Sequence, residues 1–236
     1  MQKNICNDMK KILVICSGGL DSMSVALSLT HAAFNNKVSV MSFFYGQKAA
    51  RELEAVKELA TKYNLNHIQA DISGLSQIFG TTQLTSPDEQ VSGEYNKTVV
   101  VPLRNALFLQ IAMIYAYSNG LDEVWLGSHT DDCVEIDGER MFPDNSPEFY
   151  KAFQLAMDFG TFRSDKKVEI KAPSMINTGK VELIKAAYCV DKEMLFASWS
   201  CYTSGEKQCG KCSSCINRKQ AFIEAEIIDE TVYECH

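Results

Sequence analysis

Six residues, Ser17-Gly18-Gly19-Leu20-Asp21-Ser22, constrain this chain more than any others because of what stands on either side of them. Residues 11–16 (KILVIC) form a short, unbroken apolar run, the pattern of a strand buried on both faces of a parallel sheet. The two glycines end that run, and a helical pattern follows from about 21 to 33. The six residues therefore leave a buried strand and open a helix. A helix N-terminus presents unpaired backbone N–H groups and the positive end of a dipole. Gly18 and Gly19 let an anion approach the backbone closely, and Ser17 and Ser22 add hydroxyls, which together make a cradle for a pyrophosphate. A plain strand-to-helix turn capped by Asp21 or Ser22 is the bland alternative. The whole string in this setting favours the cradle. It is not a Walker A loop, since no GxxxxGK[ST] occurs in the chain.

The same alternation of apolar runs and helical stretches continues. Strands are expected at 38–45 (VSVMSFFY), 67–72, 123–128 (EVWLGS) and 168–172, and helices at 48–63, 105–118, from Ser146 or Pro147 to 159, and at 179–189. The polar stretch 73–98, with Pro87 and three glycines, reads as an excursion, and 129–147 as a loop rich in carboxylates. This order predicts an α/β fold: an open, mostly parallel sheet with helices on both faces. Ligands of such sheets sit beyond the strand C-termini at a switch point, where the loops after the first, second and fourth strands fall.

A chain of 236 residues buries roughly 70–75% of the surface its unfolded form exposes, enough for a sizeable core. Its net charge of −7 argues against a broad basic face for a long nucleic acid, while a nucleotide needs only a few placed donors. The opening MQKNICNDMKK lacks the apolar core of a signal peptide, and no apolar run approaches the roughly 18 residues of a membrane span, so a soluble, cytoplasmic protein is expected.

Four of the nine cysteines crowd into one stretch, as Cys201-x7-Cys209-x2-Cys212-x2-Cys215. A C-x2-C knuckle points two thiolates at one ion, and four thiolates complete the closed tetrahedral shell of a structural Zn²⁺ site. An iron–sulfur cluster is the sharper rival for a four-thiolate shell. A full shell leaves no open position, so the metal is expected to hold a C-terminal segment, 199–236, against a nucleotide-binding domain at 1–198. A short helix near 217–226 closes that segment. Mg²⁺, which prefers carboxylate and phosphate oxygens, is expected to bridge a bound phosphate chain to the cradle with Asp21 near it, and Lys180 is a candidate counter-charge.

The string SGGLDS resembles the signature of the PP-loop ATP pyrophosphatases, the adenine nucleotide alpha hydrolase-like fold. That resemblance implies cleavage of ATP between the α and β phosphates and activation of a carbonyl or carboxylate oxygen as an adenylate. The C-terminal Trp199-Ser200-Cys201-Tyr202, then Cys209-Gly210-Lys211-Cys212 and Cys215 with Arg218, is similar to that of the 7-cyano-7-deazaguanine synthases. Tyr45-Gly46-Gln47, 101–105 (VPLRN), His129-Thr130-Asp131-Asp132, Phe142-Pro143-Asp144 and Glu148-Phe149 extend the likeness along nearly the whole chain. It implies zinc at the four cysteines, a homodimer, and a ligase of queuosine biosynthesis that joins 7-carboxy-7-deazaguanine and ammonia at the expense of ATP.

Carboxylates suit the donor edge of a deazaguanine, which makes Asp131 and Asp144 candidates. Arg104 matches the substrate carboxylate or a phosphate. Asn105 is a ligand reader or a helix cap. Tyr45, Phe142 and Trp199 are candidates for stacking on a base, and Gln47 stands beside Tyr45. Lys48-Ala49 after Gln47, Asn145 after Asp144, and a polar 135–140 depart from the family pattern beside the inferred acceptor pocket. These departures motivate a second reading, in which the activated deazaguanine is coupled to another amine such as a protein N-terminus. A tRNA-modifying PP-loop enzyme calls for more basic surface than this chain has, and a nucleotide-binding zinc module without turnover is the non-enzymatic alternative.

Overall fold

The computed structural model describes residues 9–46, 51–75, 103–133, 135–136, 138–140, 142–162, 166–203 and 205–234. Five parallel strands form its centre: β1 (Lys11–Ile15), β2 (Lys37–Phe44), β3 (Asn66–Asp71), β4 (Glu123–Trp125) and β7 (Glu169–Lys171), in the order β3-β2-β1-β4-β7. A two-residue antiparallel hairpin, β5 (Glu135–Ile136) with β6 (Glu139–Arg140), lies in the connection after β4. The chain winds outward from β1 through β2 to β3, then returns to the other side of β1 with β4. The switch point therefore falls between β1 and β4, at the C-terminal edge.

Side-chain alternation along β1 explains the layering. Ile12, Val14 and Cys16 face one core, with α1 (Leu20–Thr30), α2 (Arg51–Lys62), α5 (Lys180–Ala197) and α6 (Ser213–Glu224). Leu13 faces the opposite core, with α3 (Arg104–Asn119), α4 (Pro147–Gly160) and the buried side chains of β4 and β7. Leu183, Ile184, Met194 and Leu195 of α5 are buried in the first core, each worth roughly 1.5–3 kcal/mol. In the second, Phe43 of β2 stacks on Phe108 of α3 with ring centroids 4.2 Å apart.

Several expected boundaries move, each for a physical reason. β4 stops at Trp125 rather than 128 because Gly127 meets α1: a Cβ there would sit 2.9 Å from the Ser22 backbone nitrogen. α5 runs on past 189 to Ala197 through a kink at Asp191 (φ −160°, ψ 96°), where Asp191 Oδ1 accepts the Met194 N–H at 3.1 Å and restarts the helix. α6 begins at Ser213, four residues ahead of expectation, so Cys215 lies on its first turn. α4 opens as read, with Ser146 accepting the Phe149 N–H at 3.2 Å and Pro147 at the first position. The stretch 73–98 lies outside the described residues, apart from a 3-10 turn at Ser73–Leu75, and so do Gln47, Lys48 and Ala49.

Trp199, Cys201, Cys209, Cys212, Cys215 and Tyr233 form a third, small cluster, while Ala221, Phe222 and Ala225 after it pack into the first core. The cysteine segment is thus joined to the side of the sheet that carries α1 and α5.

Candidate functional site

The turn after β1 takes its shape from a glycine. Gly18 has φ +95°, and a Cβ on it would lie 1.9 Å from the Glu52 carbonyl oxygen, so the backbone of α2 rests directly on the turn. Gly19 is the N-cap of α1 and gives the first-turn N–H groups no side-chain partner. Ser22 Oγ donates to the Gly19 carbonyl at 3.3 Å and lies 3.1 Å from Ser17 Oγ. With Ser22 donating there, Ser17 donates to Ser22, and both hydroxyl protons stay within the turn. The backbone amides at the start of α1, rather than the hydroxyls, are what the turn offers an anion.

Lys180, the first residue of α5, points its ammonium at Asp21 (3.0 Å to Oδ1 and 3.3 Å to Oδ2). Burial alone raises the Asp21 carboxyl, but Lys180 and His129 outweigh it and hold the group well below the usual carboxylate range. Against the cost of its own burial, Lys180 is in turn held above its ordinary value by Asp21. The N-termini of α1 and α5 thus converge on one charge pair, and a cleft of about 300 Å³ lies beside it, lined by Thr130, Asp131, Asn177 and Lys180 among others.

His129 is 3% exposed and stands between three carboxylates: Nδ1 is 3.2 Å from Asp131 Oδ2, and Nε2 is 3.5 Å from Asp21 Oδ1 and 3.8 Å from Asp132 Oδ1. Burial disfavours the imidazolium, yet Asp21 and Asp132 raise its pKa overall. Asp131 Oδ2 also accepts the Lys180 backbone N–H at 2.7 Å, so this carboxylate caps α5.

Farther along the edge, Arg104 donates from Nη1 to the Tyr45 hydroxyl at 3.2 Å, with its guanidinium 5.6 Å from the centre of the Tyr45 ring. Its Nε is buried without a hydrogen-bond partner among the described residues, an orphaned cationic donor of the kind a carboxylate or phosphate satisfies. Asp144 is 6% exposed, and both its oxygens are taken by Asn105: the backbone N–H at 3.1 Å and the side-chain amide at 3.3 Å. Asp144 therefore caps α3, and Asn105 donates onward to Asn145 Oδ1 at 2.7 Å. The Cys133 thiol, 3.7 Å from the His129 carbonyl and 3.9 Å from that of Asn145, ties this network to the charged cluster.

Two residues had no assigned role in the sequence. His129 stood only inside a motif string; a histidine amid acids at a strand end was the available signal. Glu52 had none, because nothing local tells that α2 starts against the turn. Burial pushes the Glu52 carboxyl up to about 8, and Arg104 offsets this only in part. The folded chain then keeps this proton up to about pH 8, while the unfolded chain releases it near the ordinary 4.5. Stability from this group is complete below the lower value and lost as pH climbs through the upper one. Glu52→Gln is expected to flatten that decline in melting temperature, and a wild-type profile as flat as the variant's would refute it.

Cys201, Cys209, Cys212 and Cys215 are all buried, with sulfurs within 4.8 Å of one another. Cys209 and Cys215 sulfurs are 3.9 Å apart, too far for a disulfide and close to the ~3.8 Å edge of a tetrahedral four-thiolate shell. The backbone N–H groups of Cys209 and Cys212 donate to Cys201 and Cys209 sulfurs at 3.3 and 3.4 Å, which suits thiolates. The four cysteines fit a metal site.

Residues 11–226 match the family profile described as queuosine biosynthesis protein QueC. Curated relatives include the 7-cyano-7-deazaguanine synthase of Marinomonas sp. (34% identical, covering 95% of this chain and 99% of the relative) and that of Psychromonas ingrahamii (33%, covering 95% and 98%). The enzyme of the same name from Rhizobium johnstonii is 34% identical, covering 95% of this chain and 92% of its own. Among solved structures, the U34-tRNA thiolase NcsA from Methanococcus maripaludis with its [4Fe-4S] cluster is 15% identical with a TM-score of 0.49, covering 92% of this chain and 67% of that one, too distant to bear on the metal or chemistry here. Matched by the profile from β1 to the end of α6, and sharing about a third of its residues with curated members along nearly its whole length, the chain belongs to the QueC family.

Proposed function

We propose that this chain is an ATP-dependent carbon–nitrogen ligase that converts 7-carboxy-7-deazaguanine and ammonia to 7-cyano-7-deazaguanine. The observation that carries the reading is the convergence of two helix N-termini and the Lys180–Asp21 pair on a turn whose following helix, α1, has first-turn amides with no side-chain cap. The substrate carboxylate attacks the α-phosphorus of ATP, and pyrophosphate leaves. Ammonia adds to the acyl adenylate and expels AMP, giving the amide. A second adenylation, on the amide oxygen, followed by loss of AMP and of the amide protons, gives the nitrile.

The turn amides and Lys180 stabilise the leaving pyrophosphate where its charge develops. Mg²⁺, with Asp21 beside it, supplies further neutralisation of the phosphates when bound. Arg104, through its unpartnered Nε, fits the substrate carboxylate, with Tyr45 below it and Gln47 following. Asp131 and Asp144, expected as readers of the base, serve here as caps of α5 and α3. Asp131 is still exposed enough to accept a hydrogen bond from a ligand as well, whereas Asp144 and Asn105 act by fixing the pocket wall.

Zinc is the metal this reading places at the four cysteines, since a closed shell of buried thiolates suits it. The homodimer implied by family resemblance belongs to the same proposal and is read by light scattering. Purified protein given the carboxylate, ATP, Mg²⁺ and ammonium should release AMP and form the nitrile, detected by mass spectrometry. AMP release without nitrile would move the acceptor to another amine, and no AMP at all would sink the reading.

A further inference from the structure

Arg218 is 1% exposed, the largest fully buried side chain described, and no carboxylate among the described residues lies within ion-pair distance of it. Its guanidinium instead fans out to backbone and hydroxyl oxygens. Nη1 donates to the Ser198 carbonyl at 3.1 Å, Ser198 Oγ at 2.8 Å and Ser200 Oγ at 3.2 Å. Nη2 reaches the Leu195 and Phe196 carbonyls at 3.5 and 3.4 Å, and Nε reaches Thr231 Oγ1 at 3.1 Å. The last carbonyls of α5 have no partner within their own helix and carry the negative end of its dipole, so a cation there is favourable. Only the guanidinium fork offers five donors in one plane; an ammonium brings three from a single point.

What these bonds hold in place is residue 199. Trp199 lies between the two clamped serines, and its backbone N–H donates to the Gly18 carbonyl at 2.8 Å. Its own carbonyl faces Gly19, 3.8 Å from where a Cβ would stand. Gln208 adds a brace from the cysteine side, donating to the Ser198 carbonyl at 3.1 Å and accepting the Ser200 N–H at 3.2 Å. The phosphate turn is thus supported from behind by Glu52 and from the side by Trp199, and the second support is fixed by Arg218. Arg218 itself sits one helical turn beyond Cys215 on α6. Asp229 is the carboxylate whose charge acts most on Arg218, and Cys215 of the knuckle adds to it.

We infer that Arg218 is a positioning residue for nucleotide binding: it transmits the folded state of the cysteine knuckle, through the 198–200 segment, to the phosphate turn at Gly18. This rests on the turn being the ATP site. The metal segment is then more than a staple for the C-terminal part of the chain, because its arrangement sets how tightly ATP is held. The effect is expected to be specific to the nucleotide, since the hydrogen bonds of Arg218 among the described residues go to Leu195, Phe196, Ser198, Ser200 and Thr231, and none to Arg104 or Asn105.

The experiment is titration calorimetry of full-length, metal-loaded protein with a non-hydrolysable ATP analogue and Mg²⁺, alongside metal analysis and thermal melting. Wild-type protein that fails to bind the analogue would sink the reading of the turn itself, a separate failure. With wild-type binding in hand, Arg218→Lys is expected to weaken it about tenfold or more at unchanged metal content. In turnover, KM for ATP should rise while KM for the deazaguanine carboxylate stays within twofold. Should Arg218→Lys fail to fold, Ser198→Ala with Ser200→Ala removes two hydroxyl acceptors and leaves charge and knuckle intact, and a several-fold weakening is expected. Analogue binding within twofold of wild type in a folded variant overturns the inference. So does loss of metal in step with loss of binding, which would make Arg218 only a part of the knuckle.

Discussion

Gly18→Ala is expected to abolish nucleotide-dependent turnover while Gly19→Ala is tolerated. The two glycines are neighbours in one motif, yet their surroundings differ. At Gly18 the added methyl would stand 1.9 Å from the Glu52 carbonyl oxygen and 2.6 Å from its carbonyl carbon, at a φ of +95°. Backbone cannot rotate away as a flexible side chain can, so either α2 retreats or the turn opens, and each displaces the amides proposed to hold phosphate. A displacement near 1 Å costs about 100-fold in rate. Several donors move together here, so the expected loss in kcat/KM for ATP is ~1,000-fold, comparable with removing a transition-state donor outright. At Gly19 (φ −71°) the methyl would meet only Ser17 Oγ at 3.3 Å and the Trp199 carbonyl at 3.8 Å. Pyrophosphate-release kinetics on the two variants decide the matter: Gly18→Ala with a normal KM for ATP would mean that the phosphates bind elsewhere.

Cys212→Ala is expected to strip the metal and destabilise the chain more than any single core substitution. In a site of this kind the free energy of metal binding is largely folding free energy, on the order of 10 kcal/mol in small zinc peptides. The knuckle has little else to hold it: its third cluster contains Trp199, Tyr233 and the four cysteines. Its loss reaches further, because Phe222 and Ala221 of α6 belong to the first core, with α1 and α5. Metal content by mass spectrometry should fall to background, the melting transition should drop and broaden, and a chelator should bring wild-type protein to the same state. A Cys212→Ala variant with full metal and an unchanged transition would remove the metal-site reading.

The parts of this molecule that were legible in the sequence are those fixed by neighbours in the chain. Residues 11–22 carry their own instructions: an apolar run for a doubly buried strand, two glycines for a turn, then a helix. Cys201, Cys209, Cys212 and Cys215 announce a shared ion through spacing alone. Long-range partners were hidden. Asp144 reads as a carboxylate facing a ligand, yet it caps α3, whose first residues are 39 positions earlier. Asp131 caps α5, 49 positions later. Glu52 lies in an unremarkable amphipathic helix, and only the winding of the sheet brings its carbonyl against Gly18. α5 outran its expected end because Asp191 breaks the helix geometry for one residue while Met194 and Leu195 resume the same buried face. A local reading sees the break and misses the packing that carries the helix through it.

The division of the molecule by its sheet has a consequence for how such an enzyme changes over generations. α1, α2, α5 and α6 pack beneath one face and α3 and α4 beneath the other, with the apolar cores of the two sets separated by the strands. Mutations that reshape the walls around Arg104, Asn105 and Asn145 are therefore felt mainly in one core, with Glu52 and Cys133 as the links to the other side. On the proposed function, a lineage built this way can acquire a new molecule to modify while its fuel stays the same, and drift is expected to gather on the α3–α4 side first.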